Sequence, residues 1–264
     1  MRFIGLDLAW SARNKSGGAA IEDEGGRARW LGACEALGDD QEVLAFVKGT
    51  VGSEKALVAI DAPLIVPNAE GSRPVDREIT RLFARYHAGC YPAYRNRPGS
   101  CTRGEGIVGA LAQYGIKQDP YVQTRANESR VFEVYPHPAT ISLFHLETTI
   151  QYKPRPERTT AFRRCELLRL RGYLQGLVRA EPALSLPSAI ASAELADLGP
   201  AALKRHEDLL DAIVCAYIAY YAWYWGPAGY QVYGDTVSGY ILVPITAWMR
   251  ERLKRDAKLS GRSV

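Results

Sequence analysis

The sequence is poor in the residues from which disulfide scaffolds, zinc ribbons and membrane spans are built. Its 264 residues include five cysteines, Cys34, Cys90, Cys101, Cys165 and Cys215, an odd number with no C-x-x-C pair. That spacing argues against a disulfide framework or a zinc ribbon and points to a reducing compartment. Long hydrophobic runs are also missing. The longest uncharged stretch, Ala212 to Gly234, is broken by Gly226, Pro227 and Gly229. About 14 apolar residues remain, where a bilayer crossing needs roughly 20. At the N-terminus, Asp7 interrupts the apolar run too early for a signal-peptide core. A cytoplasmic, soluble protein with no membrane partner is expected. Glycine-rich cofactor signatures fail as well: Lys15-Ser16-Gly17-Gly18 lacks the P-loop order, and no G-x-G-x-x-G opens a helix after a strand. No Ser or Cys sits in a nucleophile-elbow pattern, so covalent catalysis is not expected.

What is present is an ordinary globular composition. Hydrophobic residues make up 47% and charged residues 23%, which excludes wholesale disorder. A chain of this length buries roughly three quarters of its unfolded surface. The formal charge of +4 is too small to name a partner. Its distribution says more. Residues 22–42 hold seven acids against Arg27 and Arg29, whereas 73–103 and 153–171 each hold seven basic residues against two acids.

Residues 2–10, the stretch from Lys15, and Arg27 to Glu35 read as three strands of an antiparallel meander. Asp40 to Val47 reads as a helix capped by Asp39 or Asp40. Ala56 to Leu64 is a nearly all-apolar strand of the kind covered on both faces. Residues 66–128 are proline- and arginine-rich, with one clear helix from Val75 to Tyr86, and look like an irregular cap inserted over the sheet. A strand follows from Arg130, then long helices over Thr160 to Val178 and Ala201 to Trp225. A C-terminal hairpin and a short basic helix from about Ala247 complete the order. The expected fold is a single α/β domain over 1–264, with a mixed sheet, helices on both faces and the insertion at about 66–128.

The acids fall where apolar residues are expected. Asp7 and Asp61 sit in or at the end of strands of Ile, Leu, Val and Ala, and Glu133 sits in Val131-Phe132-Glu133-Val134-Tyr135. Carboxylates rarely occupy such surroundings unless paired, hydrogen-bonded or metal-bound. Asp208 and Asp211, three apart, share one helix face, and Glu207 neighbours Asp211. A cation would explain like charges at that spacing; so would the dipole at a helix N-terminus. Hard oxygen donors without a Cys/His array point to Mg2+ or Mn2+, with room for two ions. Two ions could activate a water and stabilise both oxygens of a phosphodiester displacement.

Gly5-Leu6-Asp7-Leu8-Ala9-Trp10, Ala59-Ile60-Asp61-Ala62-Pro63-Leu64, Arg73-Pro74-Val75-Asp76-Arg77, Glu133-Val134-Tyr135-Pro136-His137 and Asp211 to Tyr217 together resemble an uncharacterised prokaryotic family described as predicted nucleases with a ribonuclease H-like fold. The resemblance spans about residues 3–220. It implies an acid on the first strand, matched by Asp7, and a second acid on the strand after the first helix, matched by Asp61. It also implies one or two acids on a later helix, matched by Asp208 and Asp211. Glu133 has no counterpart in the wider ribonuclease H-like scheme, and the insertion departs from its minimal fold.

The leading expectation is therefore a metal-dependent nuclease, with Asp7, Asp61, Glu133, Asp208 and Asp211 as metal ligands. His137 is a candidate general acid or base, because its pKa lies near neutrality; the bland reading is a strand-end cap. Arg73 and Arg77 are candidate phosphate contacts, on a stripe continued by Arg81 and Arg85. Lys153 is a candidate phosphate or metal-water partner. The structural reading of both basic segments is a solvated face paired with local acids. Nucleic acid is the expected partner; the oligomeric state, a homodimer included, stays open. Two competitors remain: a phosphotransferase or nucleotide-binding protein of the same fold, and a non-catalytic nucleic-acid-binding adaptor that keeps the acids structurally.

Overall fold

A computed structural model describes residues 1–97 and 101–259. The chain opens with strands β1 (Arg2–Asp7), β2 (Ser16–Glu24) and β3 (Arg27–Leu37), then helix α1 (Asp40–Val51) and β4 (Ala56–Ile60). Helices α2 (Pro74–Phe83) and α3 (Arg103–Ala112) precede the short β5 (Lys117–Gln118) and β6 (Arg130–Glu133). Then come α4 (Pro136–Phe144), α5 (Thr160–Gly176), β7 (Ala183–Leu184), α6 (Ser188–Ala191) and α7 (Pro200–Trp225). A hairpin, β8 (Tyr230–Asp235) and β9 (Gly239–Pro244), leads to α8 (Ala247–Leu259). Among the described residues no helix is long and apolar enough to cross a membrane.

Seven strands form one mixed sheet in the order β5-β6-β4-β1-β2-β3-β7. β1, β2 and β3 make the expected antiparallel meander, while β4 runs parallel to β1 and β6 parallel to β4. The period-2 alternation of strand side chains divides two cores. Phe3, Ala19, Leu57 and Phe132 face the α7 side; Ile4, Leu6, Val58 and Val131 face α1 and α3. Burying each such side chain contributes about 1.5–3 kcal/mol, and both faces of the sheet are covered. Asp39 caps α1 by accepting from the Glu42 N–H at 2.9 Å.

The stretch 66–128 does more than cap the sheet. Its α3 supplies Ile107, Val108 and Leu111 to the core shared with α1, and β5 pairs with β6 as the edge strand of the main sheet. Two residues of strand carry too little periodicity to stand out in a proline-rich segment. The strand at Arg130 is also shorter than its apolar run suggests. Pro136 starts α4, so His137 lies in the first turn of a helix and not at a strand end.

Candidate functional site

Three parallel strands end at one edge of the sheet. Asp7 is the last residue of β1, Asp61 directly follows β4 and Glu133 is the last residue of β6. In register, Leu6 faces Ile60 and Ile60 faces Glu133, so the three acids emerge side by side. Carboxyl ends of parallel strands are where ligand sites form in open α/β sheets.

Helix α7 reaches the same edge because two strand positions have no side chain. A Cβ on Gly5 would collide with the Ala212 carbonyl, and one on Gly17 with the Asp208 carbonyl. Gly17 is also the residue paired with Asp7 across the β1–β2 ladder. The helix backbone therefore lies directly on the sheet, and Asp208 and Asp211 come down beside Asp7. Both are buried, as is Glu207.

A loop before α5 completes the cluster. Lys153 points its ammonium into the acids, with Nζ 2.5 Å from Asp211 Oδ2, 3.3 Å from Glu207 Oε1 and 3.8 Å from Asp7 Oδ2. Its neighbour Tyr152 donates its hydroxyl to Asp211 Oδ1 at 2.5 Å. Arg163 donates to the Tyr152 carbonyl at 2.9 Å and to Glu207 Oε2 at 3.0 Å. Lys204 pairs with Glu207 at 3.2 Å and with Asp208. Even so, Asp7 Oδ2, Glu207 Oε1 and Asp211 Oδ2 are buried and accept no properly directed hydrogen bond. They are left to the charge of the Lys153 and Lys204 ammonium groups.

The electrostatics follow from this packing. Burial raises the Asp7 pKa well above its usual value, Lys153 works against the rise, and Asp211, Asp61 and Asp208 add to it. Asp61 is pushed up to about 7 by burial, with Lys153 opposing and Asp211 and Glu133 reinforcing. Burial disfavours the Lys153 ammonium, but Asp211, Asp7 and Glu207 outweigh it and hold its pKa well above normal. Burial and the nearby Lys153 lower His137 to about 4, so its ring is neutral at physiological pH. His137 Nδ1 lies 2.9 Å from Thr149 Oγ1.

Asp7, Asp61, His137, Lys153, Glu207 and Asp211 line a cavity of about 370 Å³, walled on its apolar side by Leu8, Trp10, Pro63, Tyr91 and Tyr135. Asp208 faces a second cavity of about 690 Å³, which Asp7, Trp10 and Lys204 also border and whose rim carries Arg13, Lys15 and Arg205. Among the described residues these three cations form no ion pair with a carboxylate.

Asp7, Asp61, Asp208, Asp211, His137 and Lys153 thus converge as the sequence suggests. Glu133 and Arg73 converge with them but on each other. Arg73, 2% exposed, donates from Nη2 to Glu133 Oε1 at 2.6 Å and from Nη1 to Glu133 Oε2 at 2.9 Å. It also donates to Asp76 Oδ1 at 2.8 Å. The Leu64 N–H supplies a further hydrogen bond to Glu133 at 2.8 Å, and the Ala93 N–H one to Asp76 at 3.1 Å. Glu133 as a metal ligand and Arg73 as a phosphate contact are corrected here: a buried guanidinium with its donors occupied is a structural brace.

Arg73 thereby leaves the arginine stripe, of which Arg77, Arg81 and Arg85 remain exposed. Arg73 turns inward, exposed Arg77 donates to the Ser72 carbonyl away from the cavity, and Arg85 pairs with Asp256. Arg103, also from that segment, is buried and holds the chain after β1, donating to the Ala9 carbonyl at 2.9 Å and to Asp40 at 2.7 Å. Lys153, the candidate phosphate or metal-water partner, lines the cavity with its ammonium turned onto carboxylates.

The structure adds Tyr152, Arg163, Lys204 and Trp10 to the site and buries Glu207, the noted neighbour of Asp211, within it. Their signal was faint: a polar–aromatic pair before a proline, and basic residues one turn from acids. Trp10 stands on the cavity wall with Arg97 over its ring at 4.8 Å.

For a metal, the test is the donor set. Among the described residues no three His, Cys, Asp or Glu side chains are grouped tightly enough to hold an ion as they stand. Yet the donors are all carboxylates, the choice of hard cations, and three of their oxygens are buried and short of a hydrogen-bond donor. The donor type is that of hard-cation sites, while as the side chains stand the acids are gathered around the Lys153 ammonium.

Residues 5–236 match the family described as Protein of unknown function (DUF429). No curated protein and no solved structure matches the chain.

Proposed function

We propose that this chain, which belongs to the DUF429 family, is a divalent-metal-dependent phosphodiesterase that hydrolyses nucleic acid, built on a ribonuclease H-like sheet. One observation carries the reading: the buried Asp7 Oδ2 accepts no hydrogen bond, its nearest cation is the Lys153 ammonium at 3.8 Å, and a strand end and a helix bring it beside further buried acids. Buried charge of this kind is costly unless a cation is bound. The meander β3-β2-β1 continued by parallel β4 and β6 supports the ribonuclease H-like part, with acids on the first strand, after the strand following α1, and on a later helix.

Asp7, Asp61, Asp208 and Asp211 would hold Mg2+ or Mn2+. The ion would supply Lewis-acid polarisation of a phosphoryl oxygen and a more acidic water. The chain's own groups do the rest. Lys153 adds fixed positive charge beside the acids, in a cavity where such charge is little screened. Neutral His137, in the tautomer whose Nδ1–H donates to Thr149 Oγ1, would accept a hydrogen bond at Nε2 and so orient the attacking water, its pKa of about 4 being too low for an efficient base. Arg13, Lys15 and Arg205 line the adjoining cavity and would carry the flanking phosphates. Trp10 and Tyr91 offer ring faces to unpaired bases.

The test is cleavage of labelled single-stranded, double-stranded and branched DNA and RNA in Mg2+, Mn2+ or EDTA, with Asp7→Asn alongside wild type. Metal-dependent cleavage lost in the variant is expected. Activity that survives EDTA, or an unimpaired variant, overturns the mechanism. The cavity's size also suits a single nucleotide unit, so a small phosphodiester belongs in the substrate panel.

A further inference from the structure

A carboxylate site built for two divalent ions leaves space between the acids for both. Here part of that space holds an ammonium, and the protein fixes it there from both sides. Tyr152 is tied through its hydroxyl to Asp211 and through its carbonyl to Arg163. The Lys153 carbonyl accepts from Arg158 at 3.0 Å, and Pro154 follows, with its backbone torsion restricted. Lys153 is thus held on a braced loop, with its charge reaching Asp211, Glu207 and Asp7 together.

Charge balance leads to the same conclusion. With every carboxyl ionised, the form in which a carboxylate ligates metal, Asp7, Asp61, Glu207, Asp208 and Asp211 carry five negative charges; Lys153, Lys204 and Arg163 carry three positive. The remainder of −2 equals one divalent ion, and a second would leave the buried cluster at +2. The neighbouring Arg73–Glu133–Asp76 set is closed by its own hydrogen bonds and offers no vacant oxygen to an ion.

Resting on the metal reading above, we infer that Lys153 is a built-in cation that takes the place of a second metal, so that the centre binds one divalent ion per chain. Lys153 is then a positioning residue for the acids and a stoichiometric limit on metal. The ion is left to the Asp7–Asp61 side of the cluster, with Asp211 shared between it and the lysine.

Isothermal titration of the full-length protein with Mn2+ tests this without any activity measurement. Wild type is expected to bind one Mn2+, and Lys153→Arg, which keeps the charge, also one. Lys153→Met, which opens the ammonium's position, is expected to bind two. Thermal melts establish that each variant is folded; if Lys153→Met is not, wild type and Lys153→Arg decide. Two ions in wild type or in Lys153→Arg, or one ion in folded Lys153→Met, overturn the inference while leaving a metal enzyme intact. No Mn2+ bound to wild type overturns both the inference and the metal reading beneath it.

Discussion

Two buried carboxylate clusters stand side by side at the end of the sheet, and they differ in how their oxygens are occupied. Around Arg73, both oxygens of Glu133 and of Asp76 receive guanidinium or backbone N–H hydrogen bonds at 2.6–3.3 Å. Around Lys153, three oxygens face a point charge without a directed donor. A planar fork matches carboxylates two oxygens at a time, whereas an ammonium cannot close five acids. The first cluster has no coordination left for a ligand; the second does. Buried acid alone does not distinguish a brace from a site, but the saturation of its lone pairs does.

Removing the brace should have the largest effect. Arg73→Met strands Glu133 and Asp76 as buried charges and is expected to cost about 3–5 kcal/mol of stability in urea denaturation. A loss under 1 kcal/mol would erase the distinction between the two clusters. Asp7→Asn removes an unsatisfied charge instead. In EDTA it is expected to raise stability by about 1 kcal/mol, while cleavage falls by more than the roughly 10- to 100-fold typical of disturbing a ligand's support. Were Asp7→Asn as destabilising as Arg73→Met, Asp7 would be a second brace.

His137 tests the environment between the clusters. Its folded pKa of about 4 lies below the unfolded value near 6.5, so the unfolded chain binds the extra proton first. Its contribution is complete above about pH 6.5 and is lost as pH falls toward 4. Against His137→Gln, wild type should lose up to about 2 kcal/mol between pH 7 and pH 5; parallel pH–stability curves would show a normally titrating ring. The smallest effect belongs to the rim. Arg205→Ala should lower the slope of log affinity against log salt for single-stranded nucleic acid by about 1. Arg77→Ala, on the face away from the cavity, should leave that slope unchanged.

Much of the architecture was legible because it is local. The apolar runs around Asp7 and Asp61 marked strands covered on both faces, and the Asp208/Asp211 spacing set one helix face. Glu133 was legible as a buried acid, but its partner Arg73 lies 60 residues away, and no spacing rule connects them. Lys153 reaches Asp211 across a similar gap. Of Arg73, Arg77, Arg81 and Arg85, the last three are exposed as a solvated face requires, whereas Arg73 precedes the helix and turns inward, which four-residue spacing alone does not reveal. The strands β5 and β7, two residues each, pair only through tertiary context.

The glycines at positions 5 and 17 have a consequence beyond packing. Each presents a hydrogen to the backbone of α7 where any other residue would present a carbon, so together they set the calibre of the cleft. A methyl at either acts as a shim: it lifts the helix, and the aspartates it carries, off the sheet and its own aspartates. The two strand glycines therefore gauge the gap between the halves of the acid centre, although neither has an atom that could touch a substrate.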